Sequence, residues 1–230
     1  VCGTLAIANS AKITLNEAAV LTVKTAPAAE VESAITYGYK KAAGTGYVYY
    51  GLKPVAMIGD VGYKTLEDAF AAATGENDVV TLVKDIELTA PVRVDKKVTL
   101  DLAGHTVTDK AGFTGGDHLI GVKRGGDLTI DDSSESKTGK ITISGLSGEI
   151  FSAIQMTVKD ESATGDAAKL TVNGGEIKGY YYGIAGNGNR HNTEITINGG
   201  TVCGTKENDC AGIYNPQNGT VTVTGGTISG

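Results

Sequence analysis

The chain has 230 residues, 40% of them apolar, and a net charge of −6, enough for one large domain or one uninterrupted repeat array. Its only arginines are Arg93, Arg124 and Arg190, so it lacks the basic stripe of a nucleic-acid surface. No run approaches the roughly 18 apolar residues of a membrane span, and insertion into a bilayer is not expected.

Residues 1–53 read as a β-rich segment. Thr4-Leu-Ala-Ile7, Lys12-Ile-Thr-Leu15 and Ala19-Val-Leu-Thr-Val23 alternate apolar and polar residues, and Tyr47-Val-Tyr-Tyr50 is a further strand. Residues 30–43, rich in Ala and Lys, have helical spacing. The segment is either a separate module or a donor of strands to another surface. Residues 54–76 read as a hairpin, Val55–Ile58 against Val61–Tyr63, followed by a helix over Lys64–Gly75. Thr65 is its N-cap, Glu67 and Asp68 occupy the first turn, Gly75 ends it, and Leu66, Ala69, Phe70 and Ala73 form its apolar face. A solenoid needs its first turn covered against solvent, and this helix stands where such a lid belongs.

Residues 77–230 carry a repeat. Leu170-Thr-Val-Asn-Gly-Gly-Glu-Ile-Lys-Gly179, Ile195-Thr-Ile-Asn-Gly-Gly-Thr-Val-Cys-Gly204 and Val221-Thr-Val-Thr-Gly-Gly-Thr-Ile-Ser-Gly230 start about 25 residues apart, the length of a solenoid coil. Each phrase is two short strands joined at a Gly pair. A third strand lies between phrases, at His118–Val122, Ser152–Gln155, Tyr182–Ala185 and Ala211–Tyr214. Three strands per turn is the pattern of a parallel β-helix. The fold class is therefore all-β, a parallel β-helix with an N-terminal capping helix and a small β-rich N-terminal region. Superposing the phrases stacks Asp101, Asp131, Asn173, Asn198 and Thr224 at one corner. That column reads as a ladder whose Asn residues accept φ > 0 and fix the turn, in preference to a functional acidic groove.

Several of these segments are familiar. Val55-Ala-Met-Ile-Gly-Asp, Tyr63-Lys-Thr-Leu-Glu-Asp-Ala-Phe, Asp78-Val-Val-Thr-Leu-Val-Lys-Asp, Val98-Thr-Leu-Asp-Leu-Ala-Gly-His-Thr-Val and Leu128-Thr-Ile-Asp-Asp-Ser-Ser-Glu-Ser-Lys-Thr-Gly resemble the β-helical surface proteins of gut-dwelling Gram-positive bacteria, within the pectate-lyase-like superfamily. The resemblance spans roughly residues 54–230. It implies a right-handed β-helix, in line with the handedness of parallel crossovers, and display outside the cell as an adhesin or scaffold. It carries no catalytic residue across, because the matched phrases are strands and turns.

Chemistry is sparsely signposted. A glycosidase needs two carboxyls held about 5 to 10 Å apart, and the adjacent pair Asp131-Asp132, followed by Ser-Ser-Glu, reads as a polar loop. No catalytic residue, metal site or cofactor is assigned, and His105 and His118 have no nameable partner. Cys203 and Cys210 either close a small disulfide, leaving Cys2 over, or all three remain thiols. Tyr180, Tyr181, Tyr182 and Tyr214 form an aromatic row, with Tyr181 pointing opposite to Tyr180 and Tyr182. The row either stacks on sugar rings or packs beneath a loop. Arg190 and His191, in Asn187-Gly-Asn-Arg-His-Asn192, are further carbohydrate-binding candidates, although Gly/Asn clusters are also what a solvated corner demands.

The expected function is a non-enzymatic, extracellular or cell-surface rod: a scaffold or adhesin binding itself or glycans. The alternative is a polysaccharide-binding or polysaccharide-degrading protein, lyase or hydrolase. Val rather than Met at position 1, without a leader, implies a processed chain or an excised piece. An uncapped end at Gly230 implies either a cut from a longer protein or head-to-tail stacking into a fibre.

Overall fold

The computed structural model describes residues 11–17, 19–74, 78–143, 151–157, 166–186 and 192–230. The expected strand Thr4–Ile7, together with Cys2 and Gly75, lies outside the described residues.

Near the N-terminus, β1 (Ile13–Thr14) and β2 (Val20–Val23) precede a short helix α1 (Ala29–Ser33). The helical spacing of 30–43 is overridden beyond Ser33. Residues Ile35, Thr36, Tyr37 and Tyr39 are β-branched or aromatic and favour extended backbone, giving β3 (Ile35–Thr36) and β4 (Tyr39–Ala43). Gly44, at φ +61°, then turns the chain into β5 (Gly46–Tyr50). β1 pairs with β3, and β2 and β4 flank β5 in an antiparallel sheet. Of the strands considered as donors, the two that are described, β1 and β2, are paired within their own region. Val48 and Tyr50 pack on Met57, which ties this sheet to the next segment.

That segment is the hairpin β6 (Ala56–Ile58) and β7 (Val61–Tyr63), followed by α2 (Leu66–Ala72). Thr65 caps α2, its Oγ1 accepting from the Asp68 N–H at 3.1 Å. Leu66, Ala69, Phe70 and Ala73 are buried in the main core.

From residue 79 the strands come in threes. β8 (Val79–Leu82), β9 (Ile86–Leu88) and β10 (Val92–Val94) are followed by β11 (Lys97–Asp101), β12 (Thr106–Asp109) and β13 (His118–Val122). Then come β14 (Asp127–Asp131), β15 (Lys140–Thr142), β16 (Ser152–Met156), β17 (Ala168–Val172), β18 (Glu176–Gly179) and β19 (Tyr182–Ala185). The last are β20 (Thr193–Ile197), β21 (Thr201–Gly204), β22 (Ala211–Tyr214), β23 (Gly219–Val223) and β24 (Thr227–Ser229). From β11 to β21 each pairs in parallel with the third strand before and after it, with β8–β10 and β22–β24 at the ends of the stacks, so three stacks of parallel strands run side by side. The antiparallel hairpin extends the first stack beyond β8. This all-β architecture of stacked parallel strands is compatible with a β-helix.

The register places like on like. Val80, Leu100, Ile130, Val172, Ile197 and Val223 form one inward column, and Ile86, Val107, Ile141, Ile177, Val202 and Ile228 another. On the outward side, Thr99, Thr129, Thr171, Thr196 and Thr222 align. Beside them runs a charged column, Lys97, Asp127, Lys169 and Glu194, alternating in sign. Lys169 and Glu194 are joined at 2.9 Å.

The corner after the first stack carries the ladder. Asn173 Nδ2 donates to Asp131 Oδ1 at 2.7 Å, Asn198 Nδ2 to Asn173 Oδ1 at 2.9 Å, and Thr224 Oγ1 to Asn198 Oδ1 at 2.7 Å. Two expectations need correction. The left-handed residue is not the Asn but the second Gly of each pair: Gly175, Gly200 and Gly226 have φ of +80°, +77° and +82°. A Cβ on Gly175 would also lie 2.6 Å from Leu102 Cδ1. Asp101, although level with Asp131, leaves the ladder, because two carboxylates have no proton to share. It accepts instead from the Ala103 and Ser133 N–H groups and the Ser133 hydroxyl.

Asp132, read from sequence as part of a polar loop, is buried at 4% exposure. Its carboxylate accepts from Gly104 N, Ser134 N, Ser134 Oγ and Gly139 N at 2.9, 3.2, 2.7 and 2.7 Å. Burial pushes its pKa up, but the bonds from Ser134, Gly139 and Gly104 together outweigh that and hold it below the ordinary value.

Two outcomes follow. Asn198→Ala removes two exposed ladder bonds and should cost about 1 kcal/mol, whereas inward-facing Ile197→Ala should cost about 2–5 kcal/mol; urea denaturation measures both. A carboxylate with a depressed folded pKa stabilises above its unfolded value, near 3.9, and loses that contribution as pH falls through the folded pKa. Asp132→Asn should therefore be less stable than the parent at pH 7, by about 1–3 kcal/mol, with the gap narrowing in acid.

Candidate functional site

The four tyrosines are brought together where the second stack passes into the third. β18 ends at Gly179, and a Cβ there would lie 1.7 Å from the Tyr182 carbonyl oxygen. Only glycine lets the chain fold back so sharply. Tyr180 and Tyr181 form the bend, and Tyr182 opens β19. The period-2 placement of Tyr181 opposite its neighbours therefore does not apply, because no strand runs through 180–181.

The bend is bonded from both sides. Tyr181 N–H donates to Phe151 O at 3.1 Å, Thr205 and Lys206 N–H donate to Tyr180 O at 3.0 and 2.8 Å, and Ala211 N–H donates to Tyr181 O at 2.9 Å. The rings form a chain. Tyr180 meets Tyr181 edge-on at 5.1 Å, Tyr181 meets Tyr182 at 6.1 Å, and Tyr182 stacks on Tyr214 at 4.8 Å with 16° between planes. The Tyr214 backbone is level with Ala185, not Tyr182, so the stack spans that offset. Tyr214 is 45% exposed, and Tyr180, Tyr181 and Tyr182 are half-buried.

Sequence reasoning missed Lys206. Its Nζ lies 4.2 Å from the Tyr181 ring centre, and its hydrogen bond with Tyr181 raises its pKa, against the opposing effect of desolvation. Burial, followed by Tyr214, Tyr181 and Asp209, raises the pKa of the Tyr182 phenol. Lys206 was legible only as a cation in a loop, since its partner comes from the preceding step of the stack.

Arg190 and His191 lie outside the described residues. Cys203 and Cys210 are free thiols, not a disulfide. Alternation sends Cys203 and Gly204 to opposite sides of β21, and Cys210 sits on the Gly204 side: its Cβ would be 2.9 Å from a Cβ placed on Gly204. The histidines do have neighbours, His105 Nδ1 at 3.2 Å from Asp85 and His118 Nδ1 at 2.8 Å from Asp117. Among the described residues no group of three or more His, Cys, Asp or Glu side chains is placed to hold a metal ion. Nor, among the described residues, is any helix long and apolar enough to cross a membrane.

No protein-family model matches the chain, and no curated protein or solved structure is significantly similar to it.

Burial, the largest influence, raises the pKa of the Cys203 thiol, which lowers its thiolate fraction at any given pH. Alkylation of Cys203 with iodoacetamide at pH 8, followed by mass spectrometry, should be slow in the folded protein and accelerate on unfolding. Both thiols should label without reductant.

Proposed function

We propose that this chain is a right-handed parallel β-helix with three strands per coil, working outside the cell as a non-enzymatic rod, scaffold or adhesin, with the tyrosine ridge as its adhesive face for glycans. The observation that carries the reading is the Tyr182–Tyr214 stack at 4.8 Å. It joins side chains from β19 and β22, neighbouring strands of one parallel stack. An aromatic face held flat, with polar phenol tips, suits the apolar face of a sugar ring.

The non-enzymatic part of the reading draws support from the adjacent carboxylates Asp131 and Asp132. Asp131 is tied to Asn173, and Asp132 is consumed by four bonds within its own corner. Cell-surface display follows the sequence resemblance and the Gly-, Thr- and Asn-rich strands.

A glycan array with the parent and Tyr214→Ala tests the proposal. The parent should bind, and the variant should lose that signal with an unchanged circular-dichroism spectrum, since Tyr214 is exposed. Unsaturated or reducing ends released from a polysaccharide panel would overturn the non-enzymatic reading.

A further inference from the structure

The outward face of the first stack has an order of its own. Its charged column reads Lys97, Asp127, Lys169 and Glu194 along β11, β14, β17 and β20, and neutral Thr220 follows at the next step. Lys97, Lys169 and Glu194 are exposed and Asp127 is half-buried. The four charges cancel, although the chain as a whole stands at −6. The threonine column runs beside them, with Val79 and Thr222 exposed at its two ends. Beyond it lie Asp131, Asn173 and Asn198.

An alternating column with an even number of charges is complementary to itself read backwards. A two-fold axis lying along the strands, midway between β14 and β17, turns this face onto a second copy with the columns superposed and the steps reversed. Lys97 then meets Glu194 of the second copy, and Asp127 meets Lys169 of the second copy, each twice by symmetry. Thr129 meets Thr171, and the Asp131 acceptor meets the Asn173 amide. A two-fold axis parallel to the stack is disfavoured. Run along the charged column, it sets every charge against itself; run along the threonines, it sets Asp127 against Asp131.

We propose that this face pairs with the same face of a second copy of the chain, the two stacks antiparallel. Four strands of five residues present less than the roughly 800 Å² a side of a stable complex. The association is therefore weak, reversible and screened by salt, and its charges fix partner and orientation more than strength. On displayed rods, antiparallel pairing joins molecules projecting from opposing surfaces. That consequence rests on the surface-display reading; the pairing itself does not.

Sedimentation velocity and small-angle X-ray scattering of the parent, up to about 1 mM protein in about 20 mM and about 500 mM salt, test the proposal with two double variants. Lys169→Glu with Glu194→Lys keeps the net charge and an ion pair at the two positions joined at 2.9 Å, yet makes every charge pair across the interface repulsive. Lys97→Asp with Asp127→Lys does the same from the other half of the column. Mixed together, the two variants are complementary at all these positions. The expected result is a side-by-side dimer of the parent that weakens at least about tenfold in high salt, no dimer of either variant alone, and dimers in their equimolar mixture, with unchanged circular-dichroism spectra. A parent that stays monomeric in low salt, a variant that self-associates as tightly as the parent, or a mixture no heavier than its components overturns it.

Discussion

Every strand from β11 to β21 is held between its equivalents three strands earlier and later, and that one geometric constraint governs what each position can be. A residue in such a stack must coexist with its own kind directly above and below. Aliphatic side chains meet the requirement at no electrostatic cost, which is why the inward columns are built of Val, Ile and Leu with little aromatic volume. Threonine meets it on the outward face, and amides meet it best of all, since each has both a donor and an acceptor. Asn173 uses both, donating to Asp131 and accepting from Asn198.

Where the constraint cannot be met, the structure departs from the repeat. Asp101 stands level with Asp131 and cannot stack on it, so it turns into the following loop, where Asp132 also folds inward. The two carboxylates organise a corner of seven or so residues around buried N–H and O–H donors. The ridge arises in the same way. A bend too sharp for any residue but Gly179 throws Tyr180 and Tyr181 off the strand path, Tyr182 opens the next strand, and the following strand of the stack supplies Tyr214.

Much of the fold was legible because its signal is periodic. The strands of 97–131 and 168–229, the Thr65 cap and the amide ladder all follow from alternation and recurrence. The corners were not legible, because period-2 reasoning assigns directions only within a strand. That is why alternation does not extend to Tyr181, why left-handed backbone belongs to Gly200 and not to the Asn before it, and why spacing alone leaves Cys203 and Cys210 open between a disulfide and free thiols. Residues 35–43 failed for a different reason: their Ala and Lys content mimics a helix, while Tyr39 and its neighbours find their partners across a sheet. Lys206 belongs to neither failure. Its role depends on a ring from another strand, and one sequence does not announce that meeting.

The charged column beside the threonines bears on how such a chain finds its own structure. Phrases as alike as those beginning at Leu170, Ile195 and Val221 invite a folding error in which one strand is skipped and the next takes its place. Skipping a step would set Lys97 against Lys169, or Asp127 against Glu194, turning attraction into repulsion. The alternation thus works as a parity check on a repetitive text. It costs the native state nothing, and it distinguishes odd steps from even ones where the hydrophobic core does not.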